Sequence, residues 1–192
     1  LALNTVTPET FSLFDHKYMA TKPNDLGASL IHVLFDKKAP DLDACNPTVT
    51  NCGLSYALRL GFKDIYLFGV DLGMIDEDSH HSKGSFYYEL SDEKQEFIAQ
   101  NIFKNSNYQR PGNFRELVTT TSTLDTSRAN IELLLSLQKH DFNVHNVNDG
   151  VRINGTICTK PEDINIQGSD IDREKVLGKI ANRCFSTPKQ NA

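Results

Sequence analysis

The chain has 192 residues, 39% apolar and 23% charged, with a formal net charge of −5. That length suffices for one domain with a real core, and the acidic balance argues against a broad nucleic-acid surface, which needs a basic stripe. No apolar run reaches the roughly 18 residues of a membrane span, and no secretory signal opens the sequence.

The first residues, LALNTV, read as a strand, and Pro8 suits the first turn of a short helix reaching Phe14. His16 to Ala20 is a second short strand. Residues 26–37 are apolar but too short for periodicity to separate helix from strand. A loop around Pro40 follows. Asn46 to Asn51 then opens a helix to about Leu60, with Val49, Gly53, Tyr56, Ala57 and Leu60 on one stripe and Gly61 as its stop. Ile65–Phe68 reads as a strand buried on both faces, ending in Gly69-Val70-Asp71. A polar loop comes next, carrying Asp76, Glu77, Asp78, His80, His81, Ser82 and Lys83.

Ser91 caps a further helix with Asp92 and Glu93 in its first turn, running to about Lys104. Residues 105–114 read as loop and Leu117 to Thr120 as a β-branched strand. Ser122 to Asp125 resembles a capping box, opening a helix to about Lys139 with Leu124, Ile131, Leu134 and Leu135 inward. Asn143 to Val147 is a strand, closed by a turn at Asn148-Asp149-Gly150. A strand fragment at Val151–Ile153 and a turn at Asn154-Gly155 follow. Residues 170–183 form an amphipathic helix through Ile171, Val176, Leu177 and Ile180, and Ser186 to Ala192 read as disordered.

Strand and helix in alternation imply an α/β fold with an open, parallel-rich, Rossmann-like sheet. Such nucleotide-binding sheets usually carry a Gly-rich turn after the first strand. Before Gly53 the only glycine is Gly27, which follows no clear strand, and the chain starts with Leu1 rather than Met. The expectation is therefore a piece of a longer protein. Cys45, Cys52, Cys158 and Cys184 lack metal-ligand spacing and read as reduced thiols of a cytosolic protein.

The stretch PTVTNCGLSYALRLGFKDIYLFGVDLG, then HHSKGSFYYE, resembles the motility accessory factor (Maf) family of flagellin glycosyltransferases. Asn113-Phe114-Arg115 and the run from Val144 to Gly155 continue the resemblance, which covers about residues 1–165. That family's shared domain is of the hydroxymethylpterin pyrophosphokinase type, and a more distant likeness is to bacterial CMP-sugar sialyltransferases. The resemblance implies transfer of a nonulosonic acid, of pseudaminic or legionaminic type, from a CMP-activated donor to Ser or Thr of flagellin, in the bacterial cytoplasm, for flagellum assembly and motility. Residues 1–165 would be the C-terminal part of the shared domain and 166–192 a helical and flexible tail. No cofactor beyond the CMP-sugar is implied, and no nucleic acid or membrane.

Candidate site residues follow from strand-end placement. Thr50, Asn51 and Gly53 open a helix whose free N–H groups suit a phosphate, or they form a plain cap with a small packing residue. Gly69 and Asp71 end the apolar strand; a carboxylate there can orient a ribose hydroxyl, a metal or a histidine, or bond its own turn. His81 or His80 can take the acceptor hydroxyl's proton; the alternatives are a solvated pair or a metal site with Asp76 and Asp78. Lys83, Tyr87 and Tyr88 can stabilise the departing phosphate, Ser82 with Lys83 can order the loop around His81 at the nucleotide site, and Arg115 can hold a carboxylate or phosphate, or each can be a surface rim. Two other functions compete: a pyrophosphokinase using ATP and Mg²⁺, with Asp71 and Asp76 or Asp78 as anchors, and a non-catalytic flagellin-binding module.

Overall fold

The structure, a computed structural model, describes residues 2–3, 6–23, 25–35, 41–74, 91–98, 108–166 and 171–187. The helices are α1 (Pro8–Ser12), α2 (Leu26–Leu34), α3 (Val49–Arg59), α4 (Asp92–Ile98), α5 (Ser122–Leu137) and α6 (Arg173–Cys184). The strands are β1 (Ala2–Leu3), β2 (Met19–Ala20), β3 (Asp64–Leu67), β4 (Tyr108–Pro111), β5 (Leu117–Thr120), β6 (Asn143–Asn146) and β7 (Ile157–Cys158). The fold is α/β. Its principal sheet is parallel and three-stranded, ordered β3-β6-β7. β1 pairs with β2 in parallel, and β4 pairs with β5 antiparallel.

Leu26–Leu34 of the ambiguous segment is a helix because Asp25 caps it, accepting the Ala28 N–H at 3.0 Å. Two strands escaped the sequence reading. β4 lies in a stretch rich in Asn, Gln and Gly, and β7 is two residues long, so neither shows a period-two apolar pattern.

Two expectations about burial are corrected. Among the described residues β3 is an outer strand of its sheet. Leu67 is buried, Ile65 and Tyr66 are half-buried, and Phe68, just past the strand, is 61% exposed. Within this sheet the more deeply buried strand is β6, which lies between β3 and β7 and carries Val144 and Asn146. The stripe of α3 is also rotated. Val49 is 86% exposed and Gly53 is exposed, whereas Asn51, Leu54, Ser55 and Leu58 face inward. Those four follow helical spacing, but two are polar, so apolar periodicity pointed elsewhere.

α3 has two packed surfaces. Leu54 and Leu58 join the main core with Leu67, Val118, Ile131, Leu134 and Val144. Cys52 and Tyr56 join a smaller cluster with Ala20, Leu42 and Cys45. All four cysteines are unpaired, Cys45 and Cys52 buried, Cys158 and Cys184 exposed. No helix among the described residues is long and apolar enough to cross a membrane.

Candidate functional site

α3 leads into β3 and α5 into β6, so the N-termini of both helices lie at the edge where the two parallel strands end. The chain leaving β3 is pinned there at successive points. Asn148 Nδ2 donates to the Leu67 carbonyl at 2.9 Å, while its Oδ1 accepts the Gly69 N–H. The Val151 N–H reaches the Asp71 carbonyl at 2.8 Å, and the Met74 N–H reaches the Thr119 carbonyl at 2.7 Å. Thr120 Oγ1 donates to the Leu72 carbonyl at 2.6 Å.

The backbone along this path is unusual. Gly69 has φ +67°, and Leu72, a branched residue, has φ +49°. A left-handed leucine is uncommon and persists where surrounding contacts fix it, as the buried Leu72 side chain and the anchors on either side do here. Gly150 is required for space: a Cβ there would lie 2.1 Å from the Asp71 carbonyl oxygen and 2.4 Å from its Cα.

Three asparagines hold this edge. Asn113 Nδ2 donates to the carbonyls of Asn146 and Asn148, at 3.0 and 2.9 Å. Asn146 is fully buried and its Nδ2 donates to the Val151 carbonyl at 3.3 Å. Side-chain amides here replace the backbone partners that a strand loses where it ends.

Two carboxylates emerge from that scaffold. Arg115 pairs with Asp149, its Nε donating at 3.0 Å to the oxygen that Nη2 also contacts. This bond and the guanidinium charge hold Asp149 below the usual carboxylate range. Asp149 Oδ1 is shielded from solvent; the Phe114 N–H favours its charge without a hydrogen bond of normal geometry among the described residues. Asp71 shifts the other way. Desolvation raises its pKa first and the neighbouring Asp149 charge second. Its side chain is nonetheless partly open to solvent, and its carboxylate has no hydrogen bond among the described residues. The arrangement offers a fixed, accessible carboxylate beside an arginine–carboxylate pair.

The other predicted residues divide. Asn51 is fully buried and committed within the chain. Its Oδ1 accepts from Thr48 Oγ1 at 2.7 Å and Ser127 Oγ at 2.5 Å, and its Nδ2 donates to the Ser127 carbonyl at 2.9 Å. That network ties α3 to α5. Thr50 is half-buried, and Gly53 faces open space, with nothing within 4 Å of where its Cβ would be. No described contact joins either to Asp71. His80, His81, Ser82, Lys83, Tyr87 and Tyr88 lie outside the described residues, as do Asp76 and Asp78.

Sequence reasoning gave no role to Asp149, Asn113, Asn146 or Asn148. A signal was present: Asn146 and Asn148 flank Val147 where a short strand ends, just before Asp149-Gly150. Polar residues inside an otherwise buried stretch mark a backbone that needs side-chain partners.

No protein-family model matches the sequence, and no curated protein matches it. Among solved structures, the chain is similar to a MAf glycosyltransferase from Magnetospirillum magneticum AMB-1, with a TM-score of 0.68 and 24% identity. The likeness covers 91% of this chain and 24% of that protein, so the chain spans about a quarter of its length. The two share a fold, and the mixed α/β architecture, its parallel sheet and the C-terminal helix α6 are those of a partial Rossmann-like domain.

Proposed function

We propose that the chain is part of a Maf-type glycosyltransferase, which moves a nonulosonic acid of pseudaminic or legionaminic type from its CMP-activated form to a Ser or Thr hydroxyl of flagellin in the cytoplasm. The observation that carries this reading is the carboxyl edge of β3 and β6, with Asp71 accessible beside the Arg115–Asp149 pair, in a chain that shares its fold with a MAf glycosyltransferase. Ligands of open α/β sheets bind at this edge.

In the proposed reaction the acceptor oxygen attacks the anomeric carbon as the sugar–phosphate bond breaks, and CMP leaves with the bonding electrons. His81, or else His80, takes the hydroxyl proton as general base, a role worth about 10² to 10⁴ in rate. Asp71 orients a donor hydroxyl or that histidine. Lys83, Tyr87, Tyr88 and Arg115 offset the phosphate charge, and Thr50, Gly53, Gly69 and Ser82 frame the nucleotide, while the buried Asn51, a nucleotide contact by sequence alone, holds the helix that carries Thr50 and Gly53. The donor is a substrate, and the scheme uses no further cofactor.

Titration of the chain with CMP, and separately with ATP and Mg²⁺, tests the assignment. CMP binding that needs no metal supports it. ATP binding that requires Mg²⁺ replaces it with the pyrophosphokinase alternative, and binding of neither by the complete protein overturns it in favour of a flagellin-binding module. In the complete protein, His81→Ala is expected to slow transfer by about 10² or more with CMP affinity little changed. Full transfer activity in the His80→Ala/His81→Ala double variant removes the histidines from the mechanism.

A further inference from the structure

A cavity of about 780 Å³ lies at the far end of α3 from its N-terminal cap. It is framed by β2, the ends of α2 and α3, and the end of α6. Its walls are aromatic, with Tyr18, Phe35, Tyr56 and Phe185 among them, and the Tyr18 and Phe185 rings lie 4.4 Å apart. That volume lies within the range of small-molecule sites, which are apolar with a few placed polar groups.

Among the described residues, the charged side chains that line it are Lys17 and Arg59, both cationic, in a chain whose net charge is −5. Neither cation forms an ion pair among the described residues. Arg59 Nη1 donates to the backbone carbonyl of Asp41 at 2.9 Å, a neutral acceptor. Asp41 Oδ1 accepts from the Thr21 hydroxyl at 2.9 Å and lies 4.0 Å from His32 Nε2.

We infer that this cavity binds an amphipathic organic anion, its apolar body packed among the aromatic rings and its carboxylate, sulfonate or phosphate held by Lys17 and Arg59. The site is separate from the strand edge that holds Asp71, and its occupancy does not depend on the glycosyltransferase assignment. Burial of the body supplies affinity, and the two cations select for negative charge.

Anilinonaphthalene sulfonate and its uncharged counterpart N-phenylnaphthylamine share an aromatic body and differ in the anionic group. Fluorescence titration is expected to show one sulfonate site per chain, with CMP not competing. The Lys17→Gln/Arg59→Gln double variant should weaken sulfonate binding about tenfold or more and change that of the neutral probe less than about twofold. Equal losses for both probes, or no loss, overturn the inference. If that variant does not fold, the native chain decides. Raising salt to about 0.5 M should weaken the sulfonate alone, and an equal response of both probes overturns the assignment.

Discussion

The N-terminus of α3 and the carboxyl edge of β3 and β6 are both polar clusters at the same side of the sheet, yet their polar atoms go to different places. At α3, the Asn51 amide is used up by Thr48 and Ser127 in a fully buried network. At the strand edge, amides of Asn113, Asn146 and Asn148 bind the backbone, and the Asp71 carboxylate stays open to solvent. The first cluster spends its hydrogen bonds on holding two helices together. The second spends its asparagines on shaping the chain, which leaves a charged group available. The residue types alone do not distinguish the two cases; the number of partners inside the chain does.

The largest expected effect tests the shaping role. Gly150→Ala drives a Cβ into the Asp71 backbone rather than into a flexible side chain, so the two loops must separate and the Val151 N–H bond to Asp71 is lost. Denaturant unfolding should show a loss of about 3 kcal/mol or more. A change below about 1 kcal/mol would mean that the edge is more pliant than these contacts imply.

Next comes the helix clamp. Asn51→Ala strips a fully buried bonding group and leaves the Ser127 carbonyl and the hydroxyls of Ser127 and Thr48 short of partners. The expected loss is about 2 to 3 kcal/mol. Because the network is internal, nucleotide affinity in the folded fraction should change little. Native stability together with lost affinity would reverse the comparison and make Asn51 a ligand contact.

Gly53, two residues along the same helix, is expected to go the other way. Its backbone is helical and an added Cβ meets nothing, so Gly53→Ala should stabilise the chain by roughly 0.5 to 1 kcal/mol. Loss of CMP affinity alongside that gain would show that a ligand passes close to the bare backbone. Unchanged affinity would leave the strand edge as the whole of the site.

The elements that were legible in the sequence share a cause. α3, α5 and β3 combine a cap or a glycine stop with enough apolar residues to show their type, β6 is marked by the Asn148-Asp149-Gly150 turn that closes it, and each lies within a residue or two of its expected bounds. β4 and β7 were hidden because short strands owe their pairing to the neighbour rather than to their own pattern. Burial was harder than element type. Ile65 to Phe68 looks like the centre of a sheet, but strand order is a property of the whole chain, and among the described residues it places β3 at an edge. The candidate site was legible as a location through Gly69-Val70-Asp71. Its partner Asp149 was not, since 78 residues separate it from Asp71 and only the parallel register of β3 with β6 brings them together.

The smallest effect on stability is expected at Asp71, and its sign carries the argument. Desolvation and the Asp149 charge raise its folded pKa above the unfolded value of about 3.9. The folded chain therefore binds this proton more tightly than the unfolded chain does. Stability from this group is fully present below the unfolded pKa and declines as pH rises through the folded one. At neutral pH the ionised side chain is mildly unfavourable to the fold. Asp71→Asn keeps the shape, removes the charge and should leave the unfolding midpoint unchanged or slightly raised at pH 7, while flattening the decline in stability just above pH 4. Asp149 behaves oppositely: Arg115 lowers its pKa, so its contribution is present above the unfolded value and is lost as pH falls through the folded one. Asp149→Asn should therefore cost stability at neutral pH, and Arg115→Ala should remove most of that difference. A fold that tolerates loss of the Asp71 carboxylate while the complete protein loses transfer activity is the pattern expected of a group kept for chemistry. If Asp71→Asn instead destabilises the chain at pH 7 and leaves transfer intact, the carboxylate belongs to the scaffold, and the contrast with α3 disappears.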